Sequence, residues 1–513
     1  MRARLLLAAA ALAAFGASLV SGFHFDDYAI FDGPAHASAA GWSTILAVRQ
    51  TRPLTYLSFW LNRALGGQDP LGYHALNLAL HVAAVLLAYE CLLRLLDRRA
   101  AWLAAAIFAV HPLQAEAVDY IWARAIVLAA VFVFASLVAW LNGRPWLAAA
   151  LFAPALLAKE ECAAFPLALW LLDAFLIAKA RRGATGQDRS LAVAAPNTPR
   201  KRDRKRAERA SEVVGSTAWI PFCAMLALSL AAGLRTIYAA AVTPGAGAGA
   251  QAGITPGHYL LAQGAVIWRY LRLFAVPYGF TVDAEIRMPA TWLGAAAWLA
   301  IITALTGLWR WRRDLAVWFT AALVLLLPSS SLFPAADLAA DRRMYLALLP
   351  LAAGAALILA GLRPRAMAPL AVVALVAVSI GRTEVWASDE SLWREAVRRA
   401  PDKVRPRIQL SRSVETGEAL ALLGEARRIA PDDPAVAAET GRVLLAAGRP
   451  AEALAEFGRA LALAPRDADN YNNRGVALEA LGQTAAARAD FQRALEVDPD
   501  LNAARENLRK LAP

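Results

Sequence analysis

The sequence is poor in charge, in cysteine and in most of the short motifs that announce a chemistry. Only 18% of its 513 residues are charged, against about 25% in an ordinary soluble domain, so a water-soluble globule of this length is excluded. Its three cysteines, Cys91, Cys162 and Cys223, all lie in apolar runs, in neither CxxC nor ligand spacing. They read as small core residues, which rules out an external disulfide framework or a cysteine metal centre. Neither GxxxxGK[ST] nor a strand-borne GxGxxG occurs, so no nucleotide cradle is encoded. There is no GxSxG elbow either. Histidine is scarce, six in all. His74, Asn77 and His81 share one helix face at i, i+3 and i+7. The two imidazoles are two turns apart, beyond the one-turn pairing of a helical metal site, and polar anchoring between helices suits them better. No metal ligand set is assigned, and a divalent-metal requirement stays open.

What the chain does have is apolar length. It is 59% hydrophobic, with a mean hydropathy of +0.43. Apolar runs occur near 4–22, 73–93, 101–118, 125–141, 145–158, 162–178, 216–240, 291–309, 314–331, 343–361 and 366–381. They predict an all-α polytopic membrane bundle of about eleven spans. The first run has the basic start and small-residue end of a signal peptide, but its length and the spans that follow favour a retained first helix. A twelfth stretch, 258–276, carries Arg269 and Arg272 well inside it. Arginine at the bilayer centre costs at least about 2.5 kcal/mol, so this stretch is expected at the surface or as a re-entrant element.

Loop charges test the count through the excess of cytoplasmic Lys and Arg. With Arg2 and Arg4 inside, eleven spans also place Arg94/Arg98/Arg99, Arg144, the basic loop 179–215, Arg310/Arg312/Arg313 and Arg363/Arg365 inside. Much of the +12 net charge sits in Lys201 to Arg209, KRDRKRAER. Between two spans that run reads as a topology signal touching anionic lipid, not a nucleic-acid site. Outside fall 22–72, 241–290 and everything beyond 382. In the first external loop, WSTILAVRQ and LTYLSFWLNRAL have helical apolar spacing and suit interfacial helices, with Trp42, Tyr56 and Trp60 at headgroup depth. Gly/Ala/Pro-rich linkers are expected over 183–199 and 244–257. Residues 1–382 thus form the membrane domain.

Residues 383–513 change character. Pro431, Pro465 and Pro499 recur every 34 residues, the tetratricopeptide (TPR) period. Tyr471, Gly475, Gly482, Ala487, Phe491, Ala494 and Pro499 fall on the motif in register. Gly441, Gly448, Ala453, Phe457, Ala460 and Pro465 repeat it one unit earlier. An extracytoplasmic TPR solenoid with a concave protein-binding surface follows; a purely stabilising cap is the alternative.

Polar residues recur at the external membrane edges. Asp26 and Asp27 stand where the first span meets water, either as a hydrated loop mouth or as a catalytic carboxylate pair over a lipid-borne substrate. Arg52, His111, Glu116, Arg124, Lys159 and Arg342 with Tyr345 lie at the same edge. Transfer of a group from a lipid phosphate to a hydroxyl needs a base and cations to hold the leaving phosphate. Asp27 or Asp26 suits the first role, and Arg124, Arg342 and Lys159 the second. Glu160 and Glu161 with Lys159 read equally as a self-neutralising turn.

FDDYAIFDGP, TRPLTYLSFWLNRALGGQDPLGYHALNLALHVAAVLL, FAVHPLQAEAVDYIWARA, LLAKEE and FPAADLAADRRMYLALLP, in this order, resemble the transmembrane-and-TPR-containing (TMTC) family. The resemblance covers nearly the whole chain. It implies a GT-C glycosyltransferase moving a mannose-like sugar from a polyprenyl-phosphate donor to a hydroxyl of a protein or envelope acceptor, with inversion. The family's paired aspartates match Asp26 and Asp27, its His-Pro segment His111 and Pro112, and its Glu-Arg…Tyr-Leu segment Asp341/Arg342 and Tyr345/Leu346. Asp341 replaces the usual Glu, and the repeat array is short. The Ala/Arg-rich composition suggests a bacterial cytoplasmic membrane and a bacterial polyprenyl donor. The competing expectation is a non-catalytic membrane scaffold whose TPRs hold an envelope partner.

Overall fold

The computed structural model describes residues 1–32, 50–184, 218–242, 254–330 except 285 and 287, 334–361 except 336, and 367–511. WSTILAVRQ apart from Gln50, the basic run 201–209 and most of both linkers lie outside the described residues. Among those described, helices and turns account for all regular structure, with no strand. The chain divides into two compact units, Met1–Phe280 with Ile286–Ala387, and Thr281–Glu285 with Ser388–Pro513.

In the first unit, α1 (Arg2–Phe15), α2 (Pro53–Gly66), α3 (Pro70–Leu95), α4 (Arg98–Val110), α5 (Ala115–Asp119), α6 (Arg124–Leu141) and α7 (Pro145–Ala158) run in order. They are followed by α8 (Phe165–Ala184), α9 (Trp219–Val242), α10 (Pro256–Ala275), α11 (Thr291–Trp311), α12 (Arg313–Leu326), α13 (Met344–Gly361) and α14 (Met367–Val385). The described parts of the eleven apolar runs are mainly helical. Eight described helices are long and apolar enough to cross a membrane, nine if one bent pair counts as a span. That pair is α4 and the 112–119 segment, bent by 48°. Pro112 has no amide hydrogen, and the His111 ring accepts from Leu113 N instead, at 3.2 Å, so the helix stops and restarts. Two runs give only 14-residue helices, α7 and α12. At 1.5 Å per residue these reach roughly 21 Å, short of a full hydrocarbon core.

The arginine-bearing stretch 258–276 becomes α10 and is not among the spanning helices. It meets α11 at two glycines. A Cβ on Gly264 would stand 2.9 Å from Trp298 Cδ1, and one on Gly294 2.8 Å from Leu261 O. Only glycine permits that approach.

The second unit is a stack of helix pairs. Pro434–Ala446 pairs with Pro450–Leu463, and Ala468–Ala480 with Thr484–Val497; Asn502–Lys510 follows. Asp433 and Asp467 cap the first helix of each pair through their side chains. Gly448 and Gly482, with φ of +71° and +74°, turn the chain between helices in a region L side chains avoid. Phe457 and Phe491 are fully buried against Gly441 and Gly475.

Candidate functional site

The paired aspartates lie on a 3-10 turn, Phe25–Tyr28, and that turn sends their side chains to different places. Asp27 is fully buried. Its Oδ2 accepts from the His24 amide at 3.0 Å and its Oδ1 from the Trp122 amide at 2.7 Å. Burial pushes its carboxyl up to about 7, against the pull of those amides and of His24. Asp26 is exposed, and its Oδ2 accepts from the Tyr120 hydroxyl at 2.9 Å. Burial first, then the charges of Asp27 and Asp26, raises the Tyr120 phenol, so it stays protonated as a donor. Phe25 packs on Tyr120 at 4.6 Å between ring centroids. With φ +21° it is the one non-glycine residue of positive φ among those described. Backbone strain of this kind collects at functional sites.

The turn is tied down from several sides. His24 donates to Trp386 O at 2.7 Å, and His74 to Gly22 O at 3.2 Å. His81 donates to Ala109 O and accepts from the Tyr345 hydroxyl, at 3.0 and 2.8 Å. Asn77 donates to Val118 O and Tyr120 O. The histidine and asparagine face of α3 is therefore polar anchoring between helices, as its spacing indicates. Tyr345, fully buried on His81, belongs to that anchoring rather than to an open site.

Arg342 lies near enough to Tyr120 for its charge to act on the phenol. Its Nη1 pairs with Glu116 Oε1, and its amide donates to Glu116 Oε2 at 3.0 Å. Glu116 is nearly buried, but the Arg342 side chain keeps 30% of its surface exposed. Its charge acts on Tyr120 and on Lys159. Lys159 is almost enclosed, with Nζ 3.2 Å from Glu161 Oε1; burial lowers its ammonium, which Glu161 partly offsets. Arg52 grips Glu160 with two bonds of 3.0 and 2.6 Å. The Glu160 charge raises its guanidinium above the ordinary value. Tyr120 thus holds the exposed Asp26 carboxylate and feels the charge of Arg342, while Lys159 and Arg52 are each steadied by an acid.

Arg124, expected at the donor phosphate, is placed elsewhere. It is fully buried, and its guanidinium donates to Asn77 Oδ1 at 2.7 Å, Ser58 O at 3.3 Å and Tyr73 O at 3.0 Å. It also lies 4.6 Å over the Phe59 ring. An arginine committed this way knits α2, α3 and α6 together and has no face for a ligand. His111 is likewise structural: Nε2 donates to Phe274 O at 3.1 Å, and Nδ1 accepts the amide that Pro112 leaves exposed. Two groups near the site, Tyr120 and Arg269, carry no site signal in the sequence. Tyr120 is invisible without the turn geometry. Arg269 and Asp341 form a 2.6 Å pair across 72 residues of sequence. Among the described residues, no group of three or more His, Cys, Asp or Glu side chains is placed to hold a metal ion.

The tetratricopeptide repeat family matches residues 415–473 and 468–501. Over 154 residues the chain is 35% identical to the mouse protein O-mannosyl-transferase TMTC3, covering 27% of this chain and 17% of that protein. Over 75 residues it is 49% identical to the Drosophila melanogaster protein O-mannosyl-transferase Tmtc1, covering 14% of this chain and 9% of that protein. The chain is similar to the TMTC proteins over these stretches. This chain has several helices long and apolar enough to cross a membrane and C-terminal TPRs, and it spans less than a fifth of either relative's length. Among solved structures the TPR protein YrrB shares 18% identity at a TM-score of 0.24, covering 40% of this chain and 98% of that one.

Proposed function

We propose that this chain is a membrane glycosyltransferase of GT-C type. It moves a mannose-like hexose from a polyprenyl-phosphate donor to a hydroxyl of a protein or envelope acceptor, on the extracytoplasmic side of a bacterial cytoplasmic membrane. The observation that carries the reading is the exposed Asp26 carboxylate, held by Tyr120 beside the half-open Arg342–Glu116 pair. Asp26 takes the proton of the acceptor hydroxyl. The acceptor oxygen bonds to the anomeric carbon, the carbon–phosphate-oxygen bond breaks with inversion, and polyprenyl phosphate leaves toward Arg342, with Lys159 and Arg52 adding positive charge behind it. Asp27 fixes the turn through its two amide bonds, so its part is positional. The names of the relatives support the mannosyl class, and the TPR unit supports a protein acceptor or partner on the concave surface.

The test is sugar transfer by purified protein in lipid discs, with Asp26→Asn and Asp27→Asn measured separately. Loss in Asp26→Asn is expected at the chemical step. Wild-type transfer by both variants would end the proposal, and a partner lost on deletion of 388–513 with no change in any glycan would favour the scaffold.

A further inference from the structure

Helix α10 holds two arginines, and the structure sends them opposite ways. Arg272 is exposed and donates to Tyr278 O at 3.2 Å. Arg269 turns inward: its Nη1 stands 2.6 Å from Asp341 Oδ1, with 15% and 5% of the two side chains exposed. The pair belongs to a ladder. Along the same face, Tyr259 donates to Ser329 O at 2.8 Å, Gln263 to Leu338 O at 3.0 Å and Tyr270 to Ala340 O at 2.9 Å. The Ala340 amide donates back to Tyr270 Oη at 3.0 Å. At its C-terminal end α10 also receives the His111 bond, at Phe274 O. One helix therefore references both partners of the Arg342–Glu116 pair: the turn carrying Arg342 through Asp341, and the broken-helix segment carrying Glu116 through His111.

We infer that Arg269 is a positioning residue, which through Asp341 sets the Asp341–Arg343 turn so that the Arg342 guanidinium faces the phosphate of a lipid-linked donor. The inference rests on the transferase reading for its ligand. It explains why an otherwise apolar helix keeps an inward arginine. A buried ion pair is a weak source of stability but strongly fixes geometry, since removing either partner strands the other. Asp341 reaches the site only by orienting its neighbour in sequence.

The experiment uses the full chain in lipid discs, with Arg269→Met, Arg269→Lys, the reversed pair Arg269→Asp with Asp341→Arg, and Arg272→Met as control. Hydrogen exchange is followed over residues 338–346, and KM and kcat are measured with polyprenyl-phosphate mannose. Arg269→Met is expected to raise donor KM about tenfold, equivalent to 1.4 kcal/mol, and to speed exchange in that segment while distant helices keep their protection. Acceptor KM stays put. Arg269→Lys recovers part of the donor KM, the reversed pair more, and Arg272→Met changes nothing. Unchanged donor KM, or equal rises in donor and acceptor KM, overturns the inference. Should the wild type move no sugar from this donor, the transferase reading falls by itself. Direct binding of unglycosylated polyprenyl phosphate then decides: about tenfold weaker binding by Arg269→Met supports the positioning role, and equal or absent binding overturns it.

Discussion

Adjacent aspartates are chemically alike in a sequence and different once a turn is built. Asp27 meets two amides in a closed space and Asp26 meets a phenol at the surface. Asp26→Asn is expected to lower kcat by roughly 10²–10⁴-fold, the usual contribution of a general base, with donor KM little changed; the kcat/KM split measures it. Asp27 makes a separate prediction through pH. Its folded value of about 7 lies above the ordinary carboxyl near 3.9. Between those two values the folded chain holds a proton that the unfolded chain has lost. Its contribution to stability is therefore full below the lower value and fades as pH rises through the upper one. From about pH 5 to about pH 7.5 the Tm of the wild type is expected to fall relative to Asp27→Asn. A constant difference across that range would show that Asp27 does not titrate there. The pair was legible from its place at the end of an apolar run, but the division of labour was not. Nor was the burial of Arg124, because position along a chain says nothing about which way a guanidinium turns.

The elements read best from sequence are those whose rule repeats. Proline every 34 residues, glycine on the first helix and phenylalanine on the second reduce to one contact. A Cβ on Gly475 would stand 2.6 Å from the Phe491 ring, and one on Gly441 2.8 Å from Phe457. Real Cβ atoms do not approach that closely, so the ring must move. Gly475→Ala is expected to destabilise the repeat unit by about 1–3 kcal/mol, the usual cost of overpacking. Phe491→Ala, which empties the same space, is expected to cost about 3–5 kcal/mol. Gly475→Ala combined with Phe491→Leu should recover part of the loss. Thermal unfolding of the full chain with exchange followed over 434–497 separates this unit from the membrane helices, and additive effects of the paired changes would contradict the contact. Helix α10 is the opposite case. Its arginines excluded it from the spans at sequence level, yet its ladder to 329–341 joins residues about 70 apart, and no periodicity carries that information.

For the molecule as a whole, the apolar runs were legible as helices while the number of crossings was less so, because α7 and α12 are half as long as α3 and α4 breaks at Pro112. The proposed sidedness rests on charge: an odd number of crossings, as in the eleven-span reading, would put the N-terminal Arg2 and Arg4 on one side and the repeats on the other. The native cysteines suit a labelling test, since Cys91 and Cys162 are buried and Cys223 is half-buried. With Cys223→Ala as background, Asp432→Cys reports the exposed edge of the repeats and Arg144→Cys an exposed loop between α6 and α7. An impermeant maleimide added to intact spheroplasts is expected to label Asp432→Cys at once and Arg144→Cys only after the membrane is opened. The proposed chemistry needs this result, because the donor phosphate, the acceptor and Asp26 must share one side of the membrane. Labelling of Arg144→Cys in sealed cells, with Asp432→Cys protected, would put that face in the cytoplasm. A lipid-linked donor would then lose its reason, for sugar nucleotides are at hand on that side.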